Sequence, residues 1–113
     1  MNLRVLGYKE DGDWCALCLE MDLRGYGKTL EDALKELSAS VLNQFTFAIQ
    51  MDNPDLLLRK AEIKYFSLYY RLRRKALVDY IRGASESDQD HRLVELPVPS
   101  RDEIPSDLAY AQT

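Results

Sequence analysis

The 113-residue sequence carries 19 acidic and 15 basic residues, so its net charge is −4. This net charge argues against a domain that binds nucleic acid over its whole surface, because such domains are usually basic. The length suits one domain, and 46% apolar residues suffice for a core without disulfides or a structural metal. No stretch approaches the roughly 20 apolar residues of a membrane helix, and no signal peptide precedes the first strand, so we expect a cytoplasmic protein that does not associate with membranes.

The N-terminal quarter of the chain predicts a β-hairpin. Residues 3–8 and 14–21 are apolar runs on either side of an acidic turn that contains Asp11 and Gly12. An Asp-Gly pair supplies the positive φ that tight hairpin turns need. The first run has apolar residues on both of its faces, which predicts a strand that is covered on both sides. Residues 23–27 then predict a short third strand or an extended turn.

A helix is predicted directly after these strands. Thr29 is a typical N-cap residue whose hydroxyl accepts a hydrogen bond from the Asp32 backbone N–H. Apolar residues recur at helical spacing from Leu30 to Ala48, so this helix should end near Met51.

A second helical segment is predicted over residues 54–83, with Gly83 as its terminator. Its middle, residues 63–70, is rich in aromatic side chains and also has the composition of a strand. A chain break near Ser67 is therefore the alternative to one long helix.

These elements predict an α+β fold in which a small antiparallel sheet of about three strands packs on a helix and is followed by a long helical segment. Residues 1–83 form the predicted domain, divided into a module at 1–51 and a helical extension at 54–83. Residues 84–113 are predicted to be a linker and a tail. Within them, residues 92–98 alternate in hydropathy and contain a proline, as an edge strand would.

The module at the N-terminus resembles the HicB-like antitoxin family. The resemblance covers residues 1–50, and the matching positions are Glu10, Asp11, Gly12, Trp14, Ala16, Gly27, Thr29, Leu30, Glu31, Ala33 and Leu34. It implies a βββα module that binds a small ribonuclease toxin and blocks its access to RNA, with no chemistry or cofactor of its own. The chain has no evident helix-turn-helix or ribbon-helix-helix segment, so the resemblance does not extend to operator binding.

The second helical segment also carries a row of basic residues. Lys60, Lys64, Arg71, Lys75 and Arg82 are spaced 4, 7, 4 and 7 residues apart, and Arg74 lies beside them. This spacing places them on one side of a continuous helix. The row predicts either a solvated face or, as an alternative function that is not favoured, a nucleic-acid-binding module.

Five aromatic residues share the same segment: Tyr65, Phe66, Tyr69, Tyr70 and Tyr80. They point in too many directions for one buried helix face, so they predict an interface between copies of the chain, with a dimer as the first choice. Packing within a monomer is the alternative. A third hypothesis for function is an oligomeric structural domain that has no toxin.

Catalysis and metal binding are not predicted. Cys15 and Cys18 are the only cysteines and lie on opposite faces of the second strand, and His91 is the only histidine. Zinc requires about four ligands. No serine or cysteine nucleophile lies near His91 in any recognisable motif, so we expect neither an enzyme nor a cofactor.

Overall fold

The computed structural model describes residues 2–83 and 90–100, which form a four-stranded antiparallel sheet with one α-helix on each face. The strands are β1 (Asn2–Glu10), β2 (Asp13–Cys18), β3 (Leu23–Gly27) and β4 (His91–Pro97), in the order β3-β2-β1-β4. The helices are α1 (Leu30–Gln50) and α2 (Ile63–Ile81), with a 3-10 turn at Pro54–Leu57 between them. Residues 84–89 of the predicted linker at 84–90 and the predicted tail at 101–113 lie outside the described residues.

The β1–β2 hairpin forms as the sequence predicts. Asp11 and Gly12 adopt φ values of 54° and 85°, and Glu10 pairs with Asp13 across the turn. Two consecutive positive φ values are those of a type I′ turn, whose twist matches that of the two strands.

Helix α1 covers one face of the sheet. Thr29 caps it, because the threonine Oγ1 accepts a 3.1 Å hydrogen bond from the Asp32 backbone N–H. Ala33, Leu37 and Val41 are buried against side chains of β1 and β2. Gly25 of β3 lies directly beneath the helix, and a Cβ at this position would collide with the backbone of Ala33 and Leu37. The glycine therefore allows β3 and α1 to approach this closely.

Helix α2 covers the opposite face. Leu6, Leu17 and Leu19 are fully buried there, and Tyr69 of α2 packs against this group. The entry to α2 is fixed by the Ala61 backbone N–H, which donates a 2.9 Å hydrogen bond to the Leu19 carbonyl. The predicted strand with two covered faces is therefore present.

Two features differ from the predicted fold. The predicted edge strand at 92–98 is present as β4, and it pairs along the whole of β1 from Tyr8↔His91 to Asn2↔Pro97, so the sheet has four strands rather than three. The helical segment is also shorter, because residues 58–62 are not helical and α2 begins only at Ile63. The hydrogen bond from Ala61 to Leu19, directly after β2, holds this stretch out of a helix. No break occurs at Ser67, and residues 63–70 are helical rather than a strand.

Candidate functional site

The basic row lies on α2, which runs without interruption through Ser67. Lys64, Arg71, Lys75 and Arg82 return to the same side of the helix after intervals of 7, 4 and 7 residues, and all four are exposed. We call these four residues the basic row from here on. Within the described part of the chain, Lys64 pairs with Glu62 at 3.9 Å, and the other three form no ion pair.

Two predicted members fall outside the basic row. Lys60 precedes α2 in the non-helical stretch, so the helical spacing no longer applies to it. Arg74 is exposed but lies about 100° around the helix from Lys75. The row is therefore confined to α2 and its C-terminal cap.

The five aromatic residues divide into two groups. Tyr65, Phe66 and Tyr69 pack against the sheet, and Tyr69 is the most deeply buried of them. Tyr70 and Tyr80 are exposed. The first group thus supplies the second hydrophobic core of the monomer, and only the second group is available to a partner.

Arg4 of β1 joins the sheet to α2, which the sequence did not indicate. Its Nε donates a 2.6 Å hydrogen bond to Glu20, and its backbone N–H donates to the other carboxylate oxygen of Glu20 at 2.8 Å. The guanidinium lies 5.3 Å from the ring centroid of Phe66 and donates to the Tyr70 hydroxyl. These contacts fix the orientation of Tyr70 on the outer side of α2.

Arg24 of β3 makes a second such junction. Its guanidinium donates a 3.1 Å hydrogen bond to Asp22 and lies 5.5 Å from the Tyr65 ring centroid, while Tyr65 stacks on Tyr8 at 6.2 Å. Burial raises the pKa of the Tyr8 hydroxyl well above its ordinary value, and a hydrogen bond with Cys15 adds to this shift. The phenol is therefore neutral at all physiological pH values and serves packing rather than proton transfer.

The two thiols are suited to packing as well. Burial raises the pKa of Cys15 and raises the pKa of Cys18 to about 11. Both are fully buried, and they lie on opposite faces of β2. Protonated, buried thiols are poor nucleophiles and poor metal ligands. In residues 2–83 and 90–100, no three His, Cys, Asp or Glu side chains are grouped as metal ligands would be.

The buried Cys18 thiol makes the free energy of unfolding fall as the pH rises in the alkaline range. Well below pH 9 the thiol is protonated in both the folded and the unfolded chain. As the pH rises through the ordinary thiol pKa of 9.0, the unfolded chain loses the proton first, so the folded state is progressively destabilised until about pH 11. We expect the difference in unfolding free energy between the wild type and Cys18→Ala, measured in urea, to shrink by about 2 kcal/mol from pH 8 to pH 10.5. An equal difference at both pH values would contradict the raised pKa.

No helix in the part of the chain that the structure describes is long and apolar enough to cross a membrane. Comparison of the chain with protein-family models, with curated proteins and with solved structures finds no match. The candidate site is therefore defined by its own geometry. Its candidate residues are the basic row and the exposed aromatic side chains of α2, Tyr70 and Tyr80.

Proposed function

We propose that the chain is a HicB-like antitoxin, or a regulator derived from one, that binds a small ribonuclease toxin and blocks its access to RNA. The observation that supports this is the continuity of the βββα unit. The hairpin with its Asp11-Gly12 turn, β3, and α1 with its Thr29 cap follow one another and pack as one body. All the residues that carry the family resemblance lie within this unit, and it needs no chemistry of its own to occlude a toxin.

We place the toxin contact at the end of the sheet that carries the hairpin turn. Trp14 pairs with Gly27, so the β1–β2 turn and the start of α1 lie at this same end. Exposed carboxylates gather there, namely Glu10, Asp11, Glu31 and Asp32. A ribonuclease needs basic side chains to hold RNA phosphates, and a surface that occludes them is favoured by opposite charge.

The test is co-purification of the tagged full chain with the product of a neighbouring reading frame that encodes a small basic protein. We expect the wild type to retain this protein and the Glu10→Lys/Glu31→Lys variant to bind it at least tenfold more weakly. The matched control is Asp55→Lys/Glu62→Lys, which changes the charge equally but lies beyond the other end of α1. It should bind as the wild type does.

Two outcomes would overturn parts of this proposal. A wild-type chain that retains no such protein would remove the antitoxin function itself. Retention by the Glu10→Lys/Glu31→Lys variant that equals the wild type would leave the function standing and would place the toxin contact elsewhere.

A second candidate function is nucleic-acid binding through the basic row. The uninterrupted α2 favours it, because the row depends on that continuity, and Arg71, Lys75 and Arg82 are not neutralised by ion pairs among the described residues. Four phosphate contacts on duplex DNA would give a slope of about −3 to −4 for log affinity against log salt. We expect Arg71→Glu/Lys75→Glu to abolish such binding and Lys35→Glu/Arg59→Glu to preserve it. Unchanged affinity of the first variant would eliminate this candidate.

A further inference from the structure

One flank of α2 is apolar and largely exposed in the described structure, although Arg4 contacts Tyr70 within it. Ile63, Tyr70, Leu77 and Ile81 are spaced 7, 7 and 4 residues apart, so they line one side of the helix. Their exposed fractions are 82%, 48%, 56% and 81%. This apolar flank lies roughly 140° around the helix from the side that packs on the sheet. Apolar residues in such a continuous line are typical of a contact surface.

The second half of α2 continues beyond its contacts with the second hydrophobic core, and only Val78 and Asp79 are half-buried in it. Tyr65 contacts Arg24 of β3, whereas Tyr70 contacts Arg4 of β1 and α2 also lies against β4, so the helix crosses the sheet from β3 towards β4. Leu72 is the last residue of α2 that packs in the core beneath it. The following nine residues extend about 14 Å beyond this point.

The strand towards which α2 runs, β4, is an outer strand of the sheet and has one edge with which no strand of the described residues pairs. The backbone N–H of Lys9 donates a 3.1 Å hydrogen bond to the Asp90 carbonyl. In an antiparallel pair every second residue directs its backbone N–H and C=O to the neighbouring strand, so Asp90 and every second residue after it bond to β1. The backbone groups of Leu93 and Glu95 therefore point outward. Such an edge readily accepts another strand.

We propose that the occupant of both surfaces is a second copy of this chain, joined edge to edge through β4. A twofold axis perpendicular to the sheet would unite the two sheets into one antiparallel sheet of eight strands. The same axis would lay the two α2 helices side by side and antiparallel across the junction, with the apolar flank of one against that of the other.

The positions of the two surfaces favour a second copy over other occupants. The midpoint of the flank from Ile63 to Ile81 is residue 72, and Leu72 is where α2 leaves the core. A twofold axis at the β4 edge therefore places the middle of the apolar flank of one copy beside the middle of the same flank of the other copy. It places Ile63 opposite the partner's Ile81 and Tyr70 opposite the partner's Arg74, where a guanidinium can lie on a tyrosine ring.

Tyr80 fits the same arrangement. It follows Tyr69 by eleven residues and so continues the side of α2 that faces the sheet, yet it is exposed in the single chain. In the dimer that side would lie over the sheet of the partner, and the ring would be covered. Of the five aromatic residues predicted for an interface, Tyr70 and Tyr80 are therefore the two that serve it. This inference does not rest on the proposed toxin.

The experiment is size-exclusion chromatography with light scattering on the full chain alone, over a range of concentrations. The wild type should have about 26 kDa, twice the chain mass of 13.1 kDa. Leu77→Glu/Ile81→Glu changes only exposed side chains, and Glu95→Pro removes an N–H that β1 does not use. Each should raise the dimer dissociation constant at least tenfold. Met51→Glu/Leu58→Glu, at exposed apolar residues off the flank, should remain dimeric.

Circular dichroism and thermal unfolding of every variant establish that the monomers are folded. A wild type that stays at 13.1 kDa at the highest concentration would overturn the proposal. So would a folded Leu77→Glu/Ile81→Glu variant or a folded Glu95→Pro variant that dimerises as tightly as the wild type, because both surfaces belong to one interface.

Discussion

Replacement of Gly25 by valine is expected to prevent folding or to lower the free energy of unfolding by at least about 3 kcal/mol. The reason is that β3 and α1 touch backbone to backbone at this position. Any Cβ at Gly25 would overlap the backbone of Ala33 and Leu37, and a buried helix backbone cannot move aside as a flexible side chain can. The whole α1 face of the sheet depends on this contact.

Urea unfolding followed by circular dichroism measures this effect. The control is Gly83→Ala, at a glycine with positive φ where nothing lies within 4 Å of an added Cβ. It should cost about 1 kcal/mol, from backbone strain alone. A Gly25→Val protein that unfolds within 1 kcal/mol of the control would mean that α1 and β3 are not packed as described.

The second large effect is expected at Leu6, on the opposite face. Leu6 lies fully buried between Leu17 and Leu93 in one row across the sheet, beneath α2. Leu6→Ala should lower the free energy of unfolding by about 2–5 kcal/mol, through lost apolar burial and the cavity that remains. The same change at Leu58, which is 70% exposed, should cost less than about 0.5 kcal/mol.

Denaturant titration of the two leucine variants and the wild type measures the loss of unfolding free energy caused by each substitution. If Leu6→Ala costs no more than Leu58→Ala, then α2 does not cover this face in solution. That result would also remove the basis for the proposed dimer, which requires α2 to cross the sheet towards β4.

The elements fixed by local sequence are those that could be predicted. The Asp11-Gly12 turn sets the hairpin because few other residue pairs accept its backbone angles, and Thr29 starts α1 because its side chain satisfies a free backbone N–H. The helical spacing of apolar residues in α1 follows from one covered face. Each of these signals acts within a few residues, so it is visible without the rest of the fold.

The features that depend on distant parts of the chain were harder to predict. The gap at residues 58–62 results from the bond between Ala61 and Leu19, about 40 positions earlier in the chain, and the pairing of β4 with β1 spans most of the chain. Arg4 was missed because an arginine within an apolar strand gives no sign of the glutamate and rings around it. The residues next to these positions in the sequence give no indication of contacts with distant parts of the chain.

The surplus of aromatic residues in α2 has a physical explanation in this fold. Apolar residues on both faces of β1 and β2 require a cover on each side, and α1 can provide only one. Tyr65, Phe66 and Tyr69 provide the other. The apolar residues on both faces of β1 and β2 indicate that a second cover is needed. Combined with the aromatic residues of the second helical segment, this pattern predicts that α2 packs on the sheet. The four residues of the basic row were predictable from spacing alone, whereas Lys60 lies outside the row because α2 begins only at Ile63.

The proposed function is tested most directly by titrating this chain into the ribonuclease reaction of the small basic protein encoded beside it. Inhibition through occlusion predicts that RNA cleavage falls in proportion to added chain and ceases near one chain per toxin. The Asp55→Lys/Glu62→Lys control should inhibit equally, and Glu10→Lys/Glu31→Lys should require at least tenfold more. Cleavage that continues unchanged in a large excess of the wild-type chain would contradict the antitoxin function.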